Sequence, residues 1–215
     1  EEAVNKISLL LVDDHAVVRV GYRQLISNSA NISVIGESET AEKACQDYAE
    51  LKPDVVVMDL GLPGMSGLEA IRRITSLDKT AAILAFTIHD ELIYLERAME
   101  AGAKGYLTKS CAPHLLLEGI EKLAFGEQFI DPALAKRRET KKIESGVLTA
   151  SVEQLSPREF DVYCLLIKGI TNKEIADALF LSQKTVANYA TGIKLKLGVK
   201  TIAEMSHLAG GSNFP

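Results

Sequence analysis

The chain contains no tryptophan and only 6% aromatic residues, and its three cysteines, Cys45, Cys111 and Cys164, include no CxxC pair. An odd number of thiols spread this widely suggests neither a disulfide frame nor a zinc site, and they read as reduced, partly buried side chains. No stretch approaches the roughly 18 apolar residues of a membrane span. The acidic start Glu1-Glu2 has the wrong sign for a secretory signal, so the protein reads as cytoplasmic and without a membrane partner. Nucleotide-binding loops, internal repeats and low-complexity tracts are missing too, which argues against an ATP-driven output.

A strong positive charge is also absent. Residues 1–130 hold 12 Lys and Arg against 20 Asp and Glu, residues 131–150 hold 5 against 3, and residues 151–215 hold 7 against 6. The acidity belongs to the front. The near-neutral tail is compatible with nucleic-acid binding but falls short of the basic footprint common in such modules.

A chain of 215 residues accommodates two small domains. In residues 1–130, β-rich runs at 7–12, 32–36, 54–59, 82–87 and 104–108 alternate with amphipathic helical stretches near 15–28, 40–51, 66–76, 90–101 and 112–125. That alternation predicts an α/β domain built on a five-stranded, doubly wound parallel sheet of the flavodoxin-like type. Residues 131–152 read as a charged linker with a short helix starting at Asp131-Pro132, and its cluster from Lys136 to Lys142 reads as solvated rather than bound to DNA or membrane. Residues 153–215 read as a small all-α domain of four helices. Ser156 to Glu159, Thr171 to Glu174 and Thr201 to Glu204 each match a capping box, and Gly169 and Gly198 stand where helices stop. The two helices joined near Leu181 make a helix-turn-helix unit.

The polar residues that end the strand-like runs share one edge of such a sheet, where ligands of parallel sheets bind. They are the pair Asp13-Asp14, Asp59, Thr87 and Lys109. This set suits metal-assisted phosphorylation of a carboxylate: Asp59 is the nucleophile, and Asp13, Asp14, Asp59 and the carbonyl of Gly61 hold Mg²⁺. Lys109 neutralises a phosphoryl oxygen, Thr87 offers a mobile donor, and Tyr106 changes its packing in response. A Mg²⁺-dependent phosphohydrolase would use the same nucleophile, but it also needs a general acid and a substrate pocket, and the short turn after Asp59 supplies neither.

Residues 1–130 resemble a receiver domain of a two-component response regulator through Val12-Asp13-Asp14-His15, Met58-Asp59 with Leu62-Pro63-Gly64, Phe86-Thr87, and Gly105 to Lys109. Residues 156–205 resemble the DNA-binding domain of the NarL/FixJ (LuxR-type) family through Leu155 to Glu159, Gly169, Asn172 to Ala176, Thr185-Val186 and Lys196 to Val199. The resemblance implies that a sensor histidine kinase phosphorylates Asp59 and that the tail binds promoter DNA as a homodimer, with subunit pairing through Thr201 and Met205 of the last helix. Ile202, Met205 and Leu208 have an equally good reading as the closure of a small core.

The recognition helix is expected over residues 183–197, with Lys184, Thr185, Asn188 and Thr191 toward DNA and Lys173 on backbone phosphate. The family usually has lysine where this chain has Ala187, and commonly histidine at Tyr189. The reading face is therefore weakly charged, and a protein-binding role for the tail stands as the alternative. Leu195 falls off the apolar stripe and either packs on the fourth helix or belongs to a contact surface.

Overall fold

The computed structural model describes residues 6–144, 152 and 154–208. The chain divides into two compact units, Glu1–Glu144 and Ser145–Pro215. In the first, strands β1 (Ile7–Val12), β2 (Ile32–Ser38), β3 (Val55–Met58), β4 (Ile83–Thr87), β5 (Gly105–Thr108) and β6 (Phe129–Ile130) form one sheet in the order β2-β1-β3-β4-β5-β6. Every pairing is parallel. Helices α1 (Ala16–Ser27), α2 (Ala41–Leu51), α3 (Gly67–Leu77), α4 (Leu92–Ala101) and α5 (Pro113–Ala124) alternate with the strands.

Continuous burial of β3, β4 and β5 follows from their sequences, since a parallel strand covered on both faces selects an unbroken apolar run. Alternate residues serve the two layers. Leu9, Leu11, Val55, Val57, Leu84, Phe86 and Leu107 form one cluster with Ile26, Leu116, Ile120 and Leu123, while Leu10, Val56, Met58, Ile83 and Tyr106 are buried on the opposite face. Strand β6 makes six strands where five were expected. Its two residues pair with Gly105 and Tyr106 of β5, and so short a run shows no period in the sequence.

Helix α6 (Pro132–Glu144) occupies much of the segment whose charge suggested a linker. Asp131 starts it, accepting the Ala133 N–H on Oδ1 at 3.0 Å. Of the nine residues from Pro132 to Thr140, only Leu134 is buried, which is why no apolar stripe announced a helix this long.

The second unit holds α7 (Pro157–Ile167), α8 (Asn172–Leu179), α9 (Gln183–Leu197) and α10 (Ile202–Leu208). Ser156 and Thr171 form complete capping boxes with Glu159 and Glu174. The third box is displaced: Thr201 Oγ1 accepts the Glu204 N–H, but the Glu204 carboxylate accepts from Lys200 N rather than Thr201 N. Two polar ties hold the helices together, Arg158 Nη2 to the Leu179 carbonyl at 2.6 Å and Lys196 Nζ to Glu159 at 2.7 Å.

Tyr163 is fully buried in this unit, and its hydroxyl has no hydrogen-bond partner among the described residues. Burial pushes the phenol up to about 12. The stability that this burial contributes is fully present below the unfolded value of 10 and is lost as pH rises toward the folded one. An unpaired buried hydroxyl costs on the order of 1 kcal/mol. Tyr163→Phe should therefore match or exceed the wild type in thermal unfolding at pH 7 and lose less stability between pH 10 and 12. A variant destabilised by more than about 1 kcal/mol would reveal a partner for the hydroxyl.

Candidate functional site

The sheet order reverses between β1 and β3, and the residues that follow those two strands open the crevice where parallel sheets bind ligands. Asp13 follows β1 and Asp59 follows β3, with the Asp59 N–H donating to the Val12 carbonyl across the gap. Lys109 follows β5, and its N–H donates to the Thr87 carbonyl at 2.7 Å. The common edge of the parallel strands β1, β3 and β5 thus delivers the side chains to one place. Lys109 Nζ donates to Asp13 Oδ2 at 2.6 Å and to Asp59 Oδ2 at 2.7 Å.

Both carboxylates are nearly withdrawn from water, Asp13 at 2% and Asp59 at 5% exposure. Burial raises the Asp59 carboxyl above its ordinary value despite Lys109 and the Gly61 N–H, which donates to Asp59 Oδ1 at 3.0 Å. Lys109 is raised as well: the pull of Asp59 and Asp13 outweighs the burial that opposes it. The pair is asymmetric for a physical reason. Burial opposes the charged form of both, but Lys109 is attracted by two carboxylates, whereas Asp59 is attracted by one ammonium and repelled by Asp13.

Asp14 lies beside them, half-buried, and the Oδ ligand atoms of Asp13, Asp14 and Asp59 with a ring nitrogen of His15 all fall within 4.8 Å of one another. Asp14 Oδ1 is buried and accepts no hydrogen bond among the described residues, with His15 Nδ1 2.9 Å away as an ion-pair neighbour. An orphaned carboxylate oxygen among two other carboxylates fits a hard cation, which takes oxygen ligands. The pocket can therefore hold a metal ion. His15 had no assigned role in the sequence reading, although its place directly after the acidic pair was the available signal.

Thr87 and Tyr106 are fully buried. Thr87 Oγ1 accepts the His89 N–H at 3.3 Å, and Tyr106 donates its hydroxyl to the His89 carbonyl at 2.8 Å. The His89 ring stacks on Tyr94 with centroids 3.9 Å apart. Nothing in the sequence marked His89 as the residue joining these two.

In the second unit, Lys173, Lys184, Asn188 and Thr191 are exposed, and Thr185 is half-buried with its hydroxyl bonded to the Ser182 cap. Positions 184, 188, 191 and 195 recur along one side of α9, and Leu195 ends that side at 83% exposure. It therefore does not pack against the last helix. Thr201 is exposed, whereas Met205 is fully buried and closes the core of this unit, so its side chain offers no surface for pairing.

The response regulator receiver domain model matches residues 9–121, and the model of bacterial regulatory proteins of the luxR family matches residues 153–209. The chain is 37% identical over 204 residues to the transcriptional activator protein ExaE of Pseudomonas putida, covering 94% of this chain and 95% of that one. It is 35% identical over 203 residues to the response regulator UvrY of Escherichia coli, with coverages of 94% and 93%. A LuxR-family two-component response regulator from an Aurantimonas species is 41% identical, with 65% of this chain and 99% of that one covered and a TM-score of 0.63. RcsB of Salmonella enterica serovar Typhimurium, solved on a promoter with a beryllofluoride phosphomimetic, is 25% identical, with coverages of 95% and 98% and a TM-score of 0.65. The two models match in the order of the two units, and the relatives align across nearly the whole length: the chain belongs to the LuxR family of two-component response regulators, a receiver domain joined to a helix-turn-helix DNA-binding domain that regulates transcription.

Proposed function

We propose that Asp59 accepts a phosphoryl group from a sensor histidine kinase in the cytoplasm, and that this modification controls pairing of the chain and its hold on promoter DNA. The observation that supports this most directly is the double contact of Lys109 with Asp13 and Asp59. An Asp59 oxygen attacks phosphorus, the bond from phosphorus to the donor's ring nitrogen breaks, and that nitrogen takes a proton. Lys109 neutralises charge on the transferred group. Asp13, Asp14, Asp59 and the carbonyl of Gly61 would hold Mg²⁺, which when bound offsets negative charge between carboxylate and phosphoryl oxygens. The protein catalyses only its own phosphorylation and dephosphorylation in this scheme.

Thr87 and Tyr106 form the switch, because both bond the backbone of His89 and a phosphoryl oxygen on Asp59 offers a new acceptor that draws the Thr87 O–H toward it and strains the bond that Thr87 Oγ1 accepts from the His89 N–H. On the second unit, Asn188 reads bases beside Lys184, Thr185 and Thr191, Lys173 grips phosphate, and pairing uses Thr201 and the outer side of α10. The exposed Leu195 favours a second reading, in which this face docks a protein. Salt separates the two, since retention by DNA falls steeply with ionic strength and apolar docking does not.

The test is Asp59→Asn treated with a small phosphodonor and Mg²⁺. Acid-labile labelling should vanish, and labelling at unchanged stoichiometry overturns the assignment. The same variant should be more stable than the wild type at pH 7. A raised folded value means that burying Asp59 stabilises least when it is ionised, so the gain should shrink as pH falls to its ordinary value of 3.8.

A further inference from the structure

Helix α6 is tied to the first unit at two places of different character. Its start is fixed to the sheet: the Asp131 N–H donates to the Tyr106 carbonyl at 2.8 Å, and Thr108 Oγ1 donates to Asp131 Oδ2 at 3.0 Å. Asp131 is 6% exposed and caps the helix with its other oxygen. Further along, α6 lies on α4 and on the loop before it. Arg138 donates from Nε and Nη2 to the two oxygens of Glu96 at 2.8 and 2.9 Å, and Arg137 Nη1 donates to the Asp90 carbonyl at 2.9 Å.

Asp90 is the neighbour of His89, whose backbone bonds both Thr87 and Tyr106 and whose ring stacks on Tyr94 in the first turn of α4. The four-residue loop from Ile88 to Glu91 therefore carries the proposed switch on one side and the anchor of α6 on the other. The contact of α6 with α4 is also thin. Beyond Leu134 the described side chains of α6 are not buried, and Leu92, Lys136, Arg137 and Thr140 line an open cleft of about 280 Å³. With little apolar area buried, the arginine contacts decide whether the helix stays down.

We propose that α6 is a hinged lever that senses the loop between β4 and α4. Arg137 and Arg138 latch it to Asp90 and Glu96 while Asp59 is unmodified. When Thr87 and Tyr106 shift, the Asp90 carbonyl moves out of register, the latch opens, and the helix pivots about Asp131. The state of the phosphoryl site thus reaches Glu144, where the first unit ends. This inference rests on Asp59 being the phosphoryl acceptor.

Amide hydrogen exchange on the full chain tests it, with Mg²⁺ and beryllofluoride as the probe. In the wild type, the probe should speed exchange across residues 134–144 at least tenfold and alter residues 87–91. Glu96→Ala should show the fast exchange without the probe, and exchanging the charges, Glu96→Arg with Arg138→Glu, should restore protection. Asp59→Asn should abolish the response to the probe and leave the effect of Glu96→Ala intact. Altered exchange at 87–91 with unchanged exchange at 134–144 overturns the lever and spares the acceptor assignment. No change at either segment overturns both. Unaltered protection in Glu96→Ala, with a native unfolding transition, shows that the arginine contacts are not the latch.

Discussion

Lys109→Ala is expected to lower the stability of the protein by about 3–5 kcal/mol at pH 7, since removing one partner of a buried ion pair leaves its counterpart uncompensated. Here two counterparts are left. Asp13 and Asp59 are almost wholly buried, and Lys109 is the only lysine or arginine that bonds either side chain among the described residues. Natural domains hold only about 5–15 kcal/mol in reserve, so this loss is a large part of the total. Two dependences distinguish it from ordinary packing loss. The deficit should shrink as pH falls and the carboxyls protonate, beginning with Asp59, whose folded value is already raised. Added Mg²⁺ should stabilise the variant more than the wild type, because a divalent ion between the carboxylates replaces the missing charge. Urea unfolding at pH 7 and pH 5, with and without Mg²⁺, measures both. A deficit independent of pH and of Mg²⁺ would mean that Lys109 acts by packing alone.

The second large effect is expected at Gly67, the first residue of α3. A Cβ there would lie 2.1 Å from the Asp59 carbonyl oxygen and 2.7 Å from Leu60 Cα. Both are backbone atoms, and they cannot give way as a side chain would. The helix must move off the strand end that carries Asp59, which places the cost of Gly67→Ala at about 3 kcal/mol, toward the upper end for overpacking. Displacement of Asp59 should also slow its labelling by a small phosphodonor. Gly21→Ala is the control. In α1 the added methyl meets nothing within 4 Å, so the usual preference of helices for alanine should stabilise that variant by roughly 0.5–1 kcal/mol. Equal effects of the two substitutions in urea titrations would show that the close approach at Gly67 does not constrain the fold.

The α/β class and the helical tail were legible because both rest on local signals. Apolar β-rich runs gave way to amphipathic helical stretches five times, and serine, threonine and glycine marked helix ends that the structure places at Ser156, Thr171 and Gly198. Parallel strands emerge at a common edge, so strand order alone placed Asp13, Asp59 and Lys109 as neighbours. Strand β6 escaped because a pair of residues has no period, and the extent of α6 escaped because its anchors are long-range. The bond from Arg138 to Glu96 spans 42 residues, and the bond from Arg137 to Asp90 spans 47.

Two residues show the same boundary at the level of side chains. Met205 and Leu195 are both apolar residues of helices in the second unit, yet one is fully buried and the other 83% exposed. Composition does not separate them, since burial depends on which neighbours a helix meets. By itself, then, the sequence determined the class of both units, the order of the strand ends and the chemistry gathered at the sheet edge, all of which follow from periodicity and short-range capping. Only the tertiary structure decided that Lys109 is shared between two carboxylates, that His89 joins Thr87 to Tyr106, and that α6 rests on α4. Those contacts link residues distant in the chain, and their geometry exists only once the sheet and its helices have packed.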